Sequence, residues 1–205
     1  LTGILEVNAA GGNDTVTASN LSDGVYRGGS GDDALTASSK SVTWLYAGNS
    51  NGYDTFNNGS GVTQAIAQSL GTVIGLNGYA NGVEVFLGQG DTLLTDTNYS
   101  SVLNFGFTLL TGIQEVNAAG GNDTVIASNL SDGVYRGGSG DDALTASSKS
   151  VTWLYAGNSN GYDTFRNVAG VTQANAQSLG TVIGLNGYAN GVETILGQGD
   201  TLLTD

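Results

Sequence analysis

The sequence contains no cysteine, proline, methionine or histidine. Without cysteine the chain can form neither disulfides nor thiolate metal sites, and any compartment is compatible with it. Without histidine, the usual catalytic triads of hydrolases are excluded. Apolar runs do not approach the roughly 20 residues that cross a bilayer, so we expect no membrane span.

Basic residues are scarce: five Lys and Arg face 18 Asp and Glu, for a formal net charge of −13. Binding of nucleic acid depends on neutralising phosphates with Lys and Arg, so we expect no nucleic acid partner, and anionic membrane surfaces are disfavoured for the same reason. A metal cation would relieve this self-repulsion. Acidity that serves only solubility is the alternative.

An internal repeat dominates the chain. Residues 1–96 return as residues 110–205, and eight of the 96 aligned pairs differ. These pairs are Leu5/Gln114, Thr17/Ile126, Asn57/Arg166, Gly59/Val168, Ser60/Ala169, Ile66/Asn175, Val85/Thr194 and Phe86/Ile195. Self-similarity at a fixed period is typical of modular, solenoid-like proteins. We therefore predict a first unit over 1–109, with 97–109 as a joining segment, and a second over 110–205. We expect one continuous solenoid, cut from a longer array.

Short apolar–polar runs alternate with turns rich in Gly, Asn and Asp, and 34 of the 205 residues are Gly. Most runs have period two, which predicts short strands, and Gly and Asn tolerate the positive φ of tight turns. In the first unit the predicted strands are 3–8, 15–18, 25–27, 34–37, 42–47, 55–57, 72–76, 83–87, 92–95 and 101–109. Only 62–70 lacks Gly and contains Gln and Ala, which predicts a short helix or an inserted loop.

The spacing of three aspartates favours a solenoid over meandering hairpins. Asp14, Asp33 and Asp54 each close a Gly-rich turn, and they lie 19 and 21 residues apart. Asp91 and Asp123 follow at intervals close to two multiples of about 18 residues. We therefore expect about six coils in each 109-residue unit.

One nonapeptide carries a more specific pattern. Gly28–Thr36, with its copy Gly137–Thr145, matches GGxGxDxUx in full, where U is a large apolar residue. Ala9–Thr17 and Asn49–Asn57 are degenerate versions, and Gly88–Asp91 is weaker still. In these residues the chain resembles the RTX family, the calcium-binding repeats of secreted bacterial toxins, proteases, lipases and large adhesins. The resulting fold prediction is all-β: a right-handed parallel β-roll or β-solenoid.

The chemistry of the motif suits calcium, which takes six to eight oxygen ligands from carboxylates and backbone carbonyls. One turn offers too few ligands, so the next winding must supply a second turn. The apolar residues Val16, Leu35 and Phe56 then point inward. The opposite edge, near Asp23 and Lys40, carries no motif, and we expect it to be apolar or hydrogen-bonded.

The resemblance implies about two ions per unit, held by motif carboxylates and backbone carbonyls. The predicted metal-site residues are Gly12, Asp14, Gly28, Ser30, Asp32, Asp33, Gly52, Asp54 and Asp91 in the first unit, and Gly121, Asp123, Gly137, Ser139, Asp141, Asp142, Gly161, Asp163 and Asp200 in the second.

Other chemistry is less favoured. Asp32 and Asp33 are adjacent carboxylates, but neighbouring strand residues point to opposite faces, which is poor geometry for acid–base catalysis. We therefore predict no enzyme activity. Aromatic residues cluster around Trp44 in the first unit and Trp153 in the second. They form either core packing or an exposed platform for sugars. Threonines are too unevenly spaced to favour ice binding.

The function predicted from the sequence is a calcium-stabilised structural tandem repeat of a large secreted bacterial protein. That protein would be an adhesin, a surface-layer or sheath component, or an extracellular filament. The expected partners are calcium and neighbouring repeats of the same protein, with extracellular carbohydrate as a further candidate. The resemblance implies an extracellular location reached by type I secretion. The alternative is a carbohydrate-binding or accessory β-roll module of a secreted polysaccharide-active enzyme or protease.

Overall fold

A computed structural model describes residues 3–78, 82–167, 169–187 and 191–205. These residues form strands and turns without a helix, and so none of them belongs to a helix long and apolar enough to cross a membrane. The chain divides into two compact units, Leu1–Asp96 with Thr108–Gln114, and Thr97–Phe107 with Glu115–Asp205. The segment 97–109 is therefore shared between the units.

The first unit is a parallel β-solenoid. Its strands are β1 Val7–Asn8, β2 Thr15–Thr17, β3 Gly24–Arg27, β4 Ala34–Thr36, β5 Val42–Tyr46, β6 Tyr53–Asn57, β7 Thr63–Ala67, β8 Val73–Leu76 and β9 Val85–Asp96. The odd strands pair with one another in parallel, and so do the even strands. The second part of β9 continues the even sheet by pairing with β8. Each turn thus contributes one strand to each of two sheets.

The second unit has the same architecture. Its strands are β10 Val102–Asn104, the end of β11 Leu109–Asn117, β12 Thr124–Ile126, β13 Gly133–Arg136, β14 Ala143–Thr145, β15 Val151–Tyr155, β16 Tyr162–Arg166, β17 Thr172–Ala176, β18 Val182–Leu185, β19 Thr194–Leu196 and β20 Leu202–Thr204. Odd and even strands again form separate parallel ladders. The predicted all-β, parallel solenoid is confirmed in each unit.

The strand register gives the length of each turn. On the inner face of the odd sheet, Tyr26 pairs with Val7 and Trp44, and Ala65 pairs with Trp44 and Phe86. From these numbers the successive turns are 19, 18, 21 and 21 residues long. The period of about 18 predicted from the sequence is therefore the lower limit of the observed range, and residues 3–96 contain five odd strands.

Residues 62–70 correct one prediction, because they contain strand β7 rather than a helix or an inserted loop. Thr63, Ala65 and Ala67 are buried, whereas Gln64 and Ile66 are partly exposed. This alternation has the period of a strand, and pairing with β5 and β7's other neighbour β9 overrides the helical preference of Ala and Gln. The adjacent predictions at 83–87 and 92–95 lie within the single strand β9.

The core lies between the two sheets of each unit. The motif residues Val16, Leu35 and Phe56 are buried, as predicted. Trp44 packs against Tyr26 with 5.4 Å between ring centroids. Trp44 and Trp153 are each only 1% exposed, so neither belongs to an exposed sugar-binding platform. Core packing is the correct alternative for both tryptophans.

The edge opposite the motif is held by side-chain hydrogen bonds between turns. Asp23 Oδ1 accepts a hydrogen bond from the backbone N–H of Ser41 over 3.0 Å. Asn20 Oδ1 likewise accepts from the backbone N–H of Ser39 over 3.1 Å. The hydrogen-bonded edge expected from the sequence is thus present, and its polar groups are satisfied without a ligand.

Candidate metal site on the Gly-rich edge

The Gly-rich edge is the stack of turns that leads from each odd strand to the next even strand. In the first unit, the motif turns are 9–14, 28–33 and 47–54. Neighbouring turns bond directly, because Gly12 N–H donates to the Ser30 carbonyl over 2.8 Å and Ser30 N–H donates to the Ala10 carbonyl over 3.0 Å. The carbonyls of these turns therefore already hold the stack together.

The turns approach so closely that glycine is required at specific positions. Gly52 has φ +79°, and a Cβ built on it would lie 2.1 Å from the Gly31 carbonyl oxygen of the preceding turn. Its copy Gly161 has φ +76° and the same contact, 1.9 Å, with the Gly140 carbonyl oxygen. The predicted site residues Gly52 and Gly161 thus serve turn stacking.

An aspartate ladder runs along the inside of this edge in the first unit and consists of Asp14, Asp33 and Asp54. Each residue directly precedes or begins the inward-facing part of an even strand, so the parallel register stacks the three side chains. The backbone N–H of Asp14 donates to Asp33 Oδ1 over 2.9 Å, and that of Asp33 donates to Asp54 Oδ1 over 3.0 Å. Asp33 and Asp54 are only 2% and 1% exposed.

The second unit contains the corresponding ladder of Asp123, Asp142 and Asp163. The N–H of Asp123 donates to Asp142 Oδ1 over 2.8 Å, and the N–H of Asp142 donates to Asp163 Oδ1 over 2.9 Å. The N–H of Ser101 donates to Asp123 Oδ1 over 2.7 Å. The structure therefore brings together three of the predicted carboxylates in each unit.

The second carboxylate oxygens of the ladder differ from one turn to the next. Asp14 Oδ2, Asp33 Oδ2 and Asp142 Oδ2 are buried without a hydrogen-bond partner in the protein. Asp54 Oδ2 instead accepts a hydrogen bond from the Tyr46 hydroxyl over 2.7 Å. Tyr155 donates to Asp163 in the same way, over 2.7 Å.

The first glycine of the complete motif makes room for the ladder. A Cβ on Gly28 would lie 2.2 Å from Asp33 Oδ2, and a Cβ on Gly137 would lie 2.2 Å from Asp142 Oδ2. These two predicted site residues therefore border the unpartnered oxygens. Ser30 and Ser139 contribute through the backbone, since their carbonyls accept from Gly12 and Gly121 in the neighbouring turns.

Burial makes the charged form of the ladder unfavourable. It raises the pKa of Asp54 to about 7 and that of Asp163 to about 7, although the tyrosine hydrogen bonds lower both. Burial also raises the pKa of Asp142 to about 8, with the neighbouring Asp163 and Asp123 charges adding to the effect. The pKa of Asp33 is raised for the same first reason. Uncompensated negative charge therefore accumulates along this edge at neutral pH.

Asp32 and Asp141 lie outside the ladder. Asp32 is exposed, and its Oδ1 accepts from the backbone N–H of Tyr53 over 2.9 Å, while its own N–H donates to Asn13 Oδ1 over 3.1 Å. Asp141 Oδ1 accepts from Tyr162 N–H in the same way. Asp32 and Asp33 thus point to opposite sides of the turn, as expected from the sequence, and the structure does not bring them to one site.

Asp91 and Asp200 also lie apart from the ladders. Asp91 Oδ2 accepts from Gly71 N–H over 2.8 Å, and Asp200 Oδ1 accepts from Gly180 N–H over 2.7 Å. Gly12 and Gly121 have φ near +115°, at +116° and +113°, and contribute turn conformation rather than a side chain. These residues support neighbouring turns on the same edge.

Two features of the site are absent from the sequence-based prediction. Tyr46 and Tyr155 were assigned only to an aromatic cluster, and nothing in the sequence signals that the hydroxyl reaches an aspartate eight residues later. Asp96 was not selected because no motif precedes it. It is fully buried, its Oδ1 accepts from Gly78 N–H over 2.8 Å, and its Oδ2 lacks a partner in the protein.

Calcium fits the donor chemistry of the ladder, because buried carboxylate oxygens without a partner are hard ligands of the kind it prefers. Among the described residues, no group of three or more acidic side chains is arranged to hold a metal ion by itself. An ion bound to the ladder would therefore need backbone carbonyls or water to complete its coordination.

Comparison of the chain with protein-family models, curated proteins and solved structures finds no match. The resemblance to RTX repeats consequently depends on the motif residues alone.

Proposed function

We propose that this chain is a calcium-stabilised structural tandem repeat of a large secreted bacterial protein, namely an adhesin, a surface-layer or sheath component, or an extracellular filament. The aspartate ladder carries the proposal. Its oxygens Asp14 Oδ2 and Asp33 Oδ2 lie unpartnered in successive turns of one solenoid.

The ladder needs a counter-charge more than it needs further hydrogen bonds. Its Oδ1 atoms already accept backbone N–H groups, so the stacking of the turns holds the carboxylates in place. Bound beside the free oxygens, calcium would neutralise adjacent carboxylates and link consecutive turns.

A solenoid of this kind suits a mechanical role. Each strand satisfies its backbone groups by pairing with strands in the turns before and after it, so a unit forms without long-range closure. Neighbouring strands lie about 4.8 Å apart, so length grows in proportion to the number of turns. Repeats of this type add reach and stiffness rather than new sites.

The proposed location follows from the calcium concentration of each compartment. Extracellular calcium-binding modules have dissociation constants of about 0.1–1 mM, so they are loaded outside the cell and empty in the cytosol. Uncompensated charge at −13 would keep the chain loose before export. Type I secretion is the route that the motif resemblance favours.

We propose a structural rather than a catalytic role, and contacts with neighbouring repeats of the same protein rather than with a soluble substrate. The carbohydrate alternative loses its main support, because Trp44 and Trp153 are core residues. No described residue favours the accessory-module alternative over the structural one.

Thermal unfolding followed by circular dichroism tests the proposal. The full chain is melted in chelator, in millimolar calcium and in millimolar magnesium at equal ionic strength. Calcium at about 100 times its dissociation constant should stabilise the fold by about 2.7 kcal/mol per site, whereas magnesium, which demands a smaller octahedral site, should have little effect. Identical melting curves in chelator and calcium would show that the fold does not depend on the metal.

A further inference from the structure

Resting on the proposed calcium-binding role, we propose that the Tyr46 and Tyr155 hydroxyls replace a metal ion at the third aspartate of each ladder. Calcium then binds between the first two aspartates, Asp14 and Asp33 or Asp123 and Asp142, and not at Asp54 or Asp163.

Both oxygens of the third aspartate are already engaged. Asp54 Oδ1 accepts from the Asp33 N–H over 3.0 Å, and Asp54 Oδ2 accepts from the Tyr46 hydroxyl over 2.7 Å. A phenol hydroxyl donates to a carboxylate without adding a cation, so the charge is stabilised by a fixed dipole. A metal at this position would have to displace that bond.

The tyrosine is held in place for this role. Tyr46 projects inward from β5, is 3% exposed, and packs against Phe56 with 6.4 Å between ring centroids. Tyr155 and Phe165 have the matching geometry, with 6.3 Å between centroids. A buried, packed ring loses little further freedom on forming its hydrogen bond.

The next turn offers no second carboxylate to share an ion. Asp54 pairs with Leu76 in β8, and Asp163 pairs with Leu185 in β18. An apolar residue therefore follows the third aspartate in both units, whereas a carboxylate follows the first and second. The pair with free oxygens on both members is Asp14 and Asp33.

Calcium titration of the full chain by isothermal calorimetry tests the inference. The variants are Asp33→Asn and Asp54→Asn, each of which keeps an amide oxygen as acceptor for the backbone N–H of the previous turn. The wild-type chain should bind about two ions, one per unit. Asp33→Asn should lose one of them, and Asp54→Asn should keep both.

The outcomes separate this inference from the proposed function. Absence of calcium binding to the wild-type chain would overturn the proposed function and the inference together. Binding to the wild type with equal losses in Asp33→Asn and Asp54→Asn would overturn only the role of the tyrosine. Tyr46→Phe, measured in calcium so that folding is maintained, should bind one ion more than the wild type. An unchanged stoichiometry in Tyr46→Phe would also contradict the inference.

A separate observation concerns the core. Trp44 Nε1 and Thr63 Oγ1 are buried without a hydrogen-bond partner in the protein, and so are Trp153 Nε1 and Thr172 Oγ1. Both groups of each pair point inward from adjacent strands, since Trp44 pairs with Ala65 and Thr63 is the inward residue two positions earlier. Diagonal neighbours of this kind have Cβ atoms about 7–8 Å apart, within reach of an aromatic side chain.

From this repeated pair we infer that one buried water molecule bridges the indole N–H and the threonine hydroxyl in each unit. Water supplies the acceptor that the indole needs and a partner for the hydroxyl. An apolar occupant would leave both groups unsatisfied, which is costly in a core.

A crystal structure of Thr63→Val at about 1.5 Å tests this inference, with Trp153 and Thr172 as an unaltered control in the same molecule. The wild type should show a water peak within hydrogen-bond distance of both tryptophans, and Thr63→Val should lose only the peak beside Trp44. Direct bonding of the indole to a protein carbonyl, or a water that persists beside Trp44 in Thr63→Val, would contradict it.

Discussion

The backbone N–H of Asp33 donates a hydrogen bond to Oδ1 of Asp54, 3.0 Å away in the next turn. One side chain thus both links two turns and places a carboxylate where water is excluded. Stacking of the turns therefore brings an electrostatic cost with it, and the stability of each unit should depend on anything that changes this charge.

The first prediction concerns pH in calcium-free buffer. The pKa of Asp54 rises from an ordinary value of 3.8 in the unfolded chain to about 7 in the folded one, and Asp163 behaves alike. Between these values the folded state binds more protons, so the free energy of unfolding should fall as pH rises from about 4 to 7. One unit of pKa difference corresponds to about 1.4 kcal/mol, so the total loss should be several kcal/mol.

Urea unfolding at a series of pH values in chelator measures this loss. The double variant Asp54→Asn and Asp163→Asn is the control, and its stability should vary less with pH because the two carboxyls are gone. Calcium should also reduce the slope. A stability that is constant or rises between pH 4 and 7 in chelator would contradict the assigned burial of charge.

The second prediction concerns Ala10, which adopts φ +77° although it is not a glycine. The left-handed conformation costs an L-residue about 1–2 kcal/mol, whereas glycine loses about 0.5–1 kcal/mol through the entropy of the unfolded chain. Ala10→Gly should therefore stabilise the chain by about 0.5–1 kcal/mol. The complete motif has a glycine, Gly29 with φ +112°, at the corresponding position.

Chemical denaturation compares Ala10→Gly with Ala9→Gly. Ala9 does not have a positive φ, so the same change next to it should be destabilising by about 0.5–1 kcal/mol. Equal effects of the two substitutions would mean that backbone strain at Ala10 is insignificant.

The third prediction separates backbone strain from close approach at two glycines. Gly48 has φ +70° with open space around the missing Cβ, whereas Gly52 has φ +79° and a carbonyl oxygen 2.1 Å from that position. Gly48→Ala should cost about 1–2 kcal/mol from strain alone. Gly52→Ala should cost a further 1–3 kcal/mol or so, because two turns must move apart.

Thermal melts of the two variants in the same buffer measure the difference. Gly161→Ala repeats the Gly52→Ala test in the second unit, where the clashing distance is 1.9 Å. If Gly48→Ala and Gly52→Ala lose equal stability, the stacked turns tolerate a methyl group and the close approach is unimportant.

The fourth prediction uses one repeat position in two environments. Leu94 is fully buried in β9, and its copy Leu203 is 49% exposed in β20. Leu94→Ala should cost about 2–5 kcal/mol, the range for a buried leucine. Leu203→Ala should cost about 1 kcal/mol, because it removes less apolar area from the interior.

The unfolding midpoints of these two variants provide the comparison, and the identical local sequence rules out intrinsic propensity as the cause. A similar loss in both would mean that the core does not distinguish the two copies. A loss larger in Leu203→Ala would reverse the assignment of the core.

Much of the fold follows from local pattern. Period-two alternation predicted β5 and β6 closely, and Gly–Asp turns predicted the edge that links them, because strand and turn preferences are set by each residue and its neighbours. The same reasoning failed for β7, where Gln64 and Ala65 favour helix in isolation and pairing with β5 decides otherwise.

The ladder shows the same division. The sequence by itself determined that Asp14, Asp33 and Asp54 close successive turns, because turn chemistry and repeat spacing are written in the chain. Only the tertiary structure decided which carboxylate oxygens are free, because this depends on the partners that parallel register brings together. Tyr46 reaches Asp54 from another strand of the solenoid, and Leu76 covers it from the next turn. Distances across turns are set by packing, which no local pattern encodes.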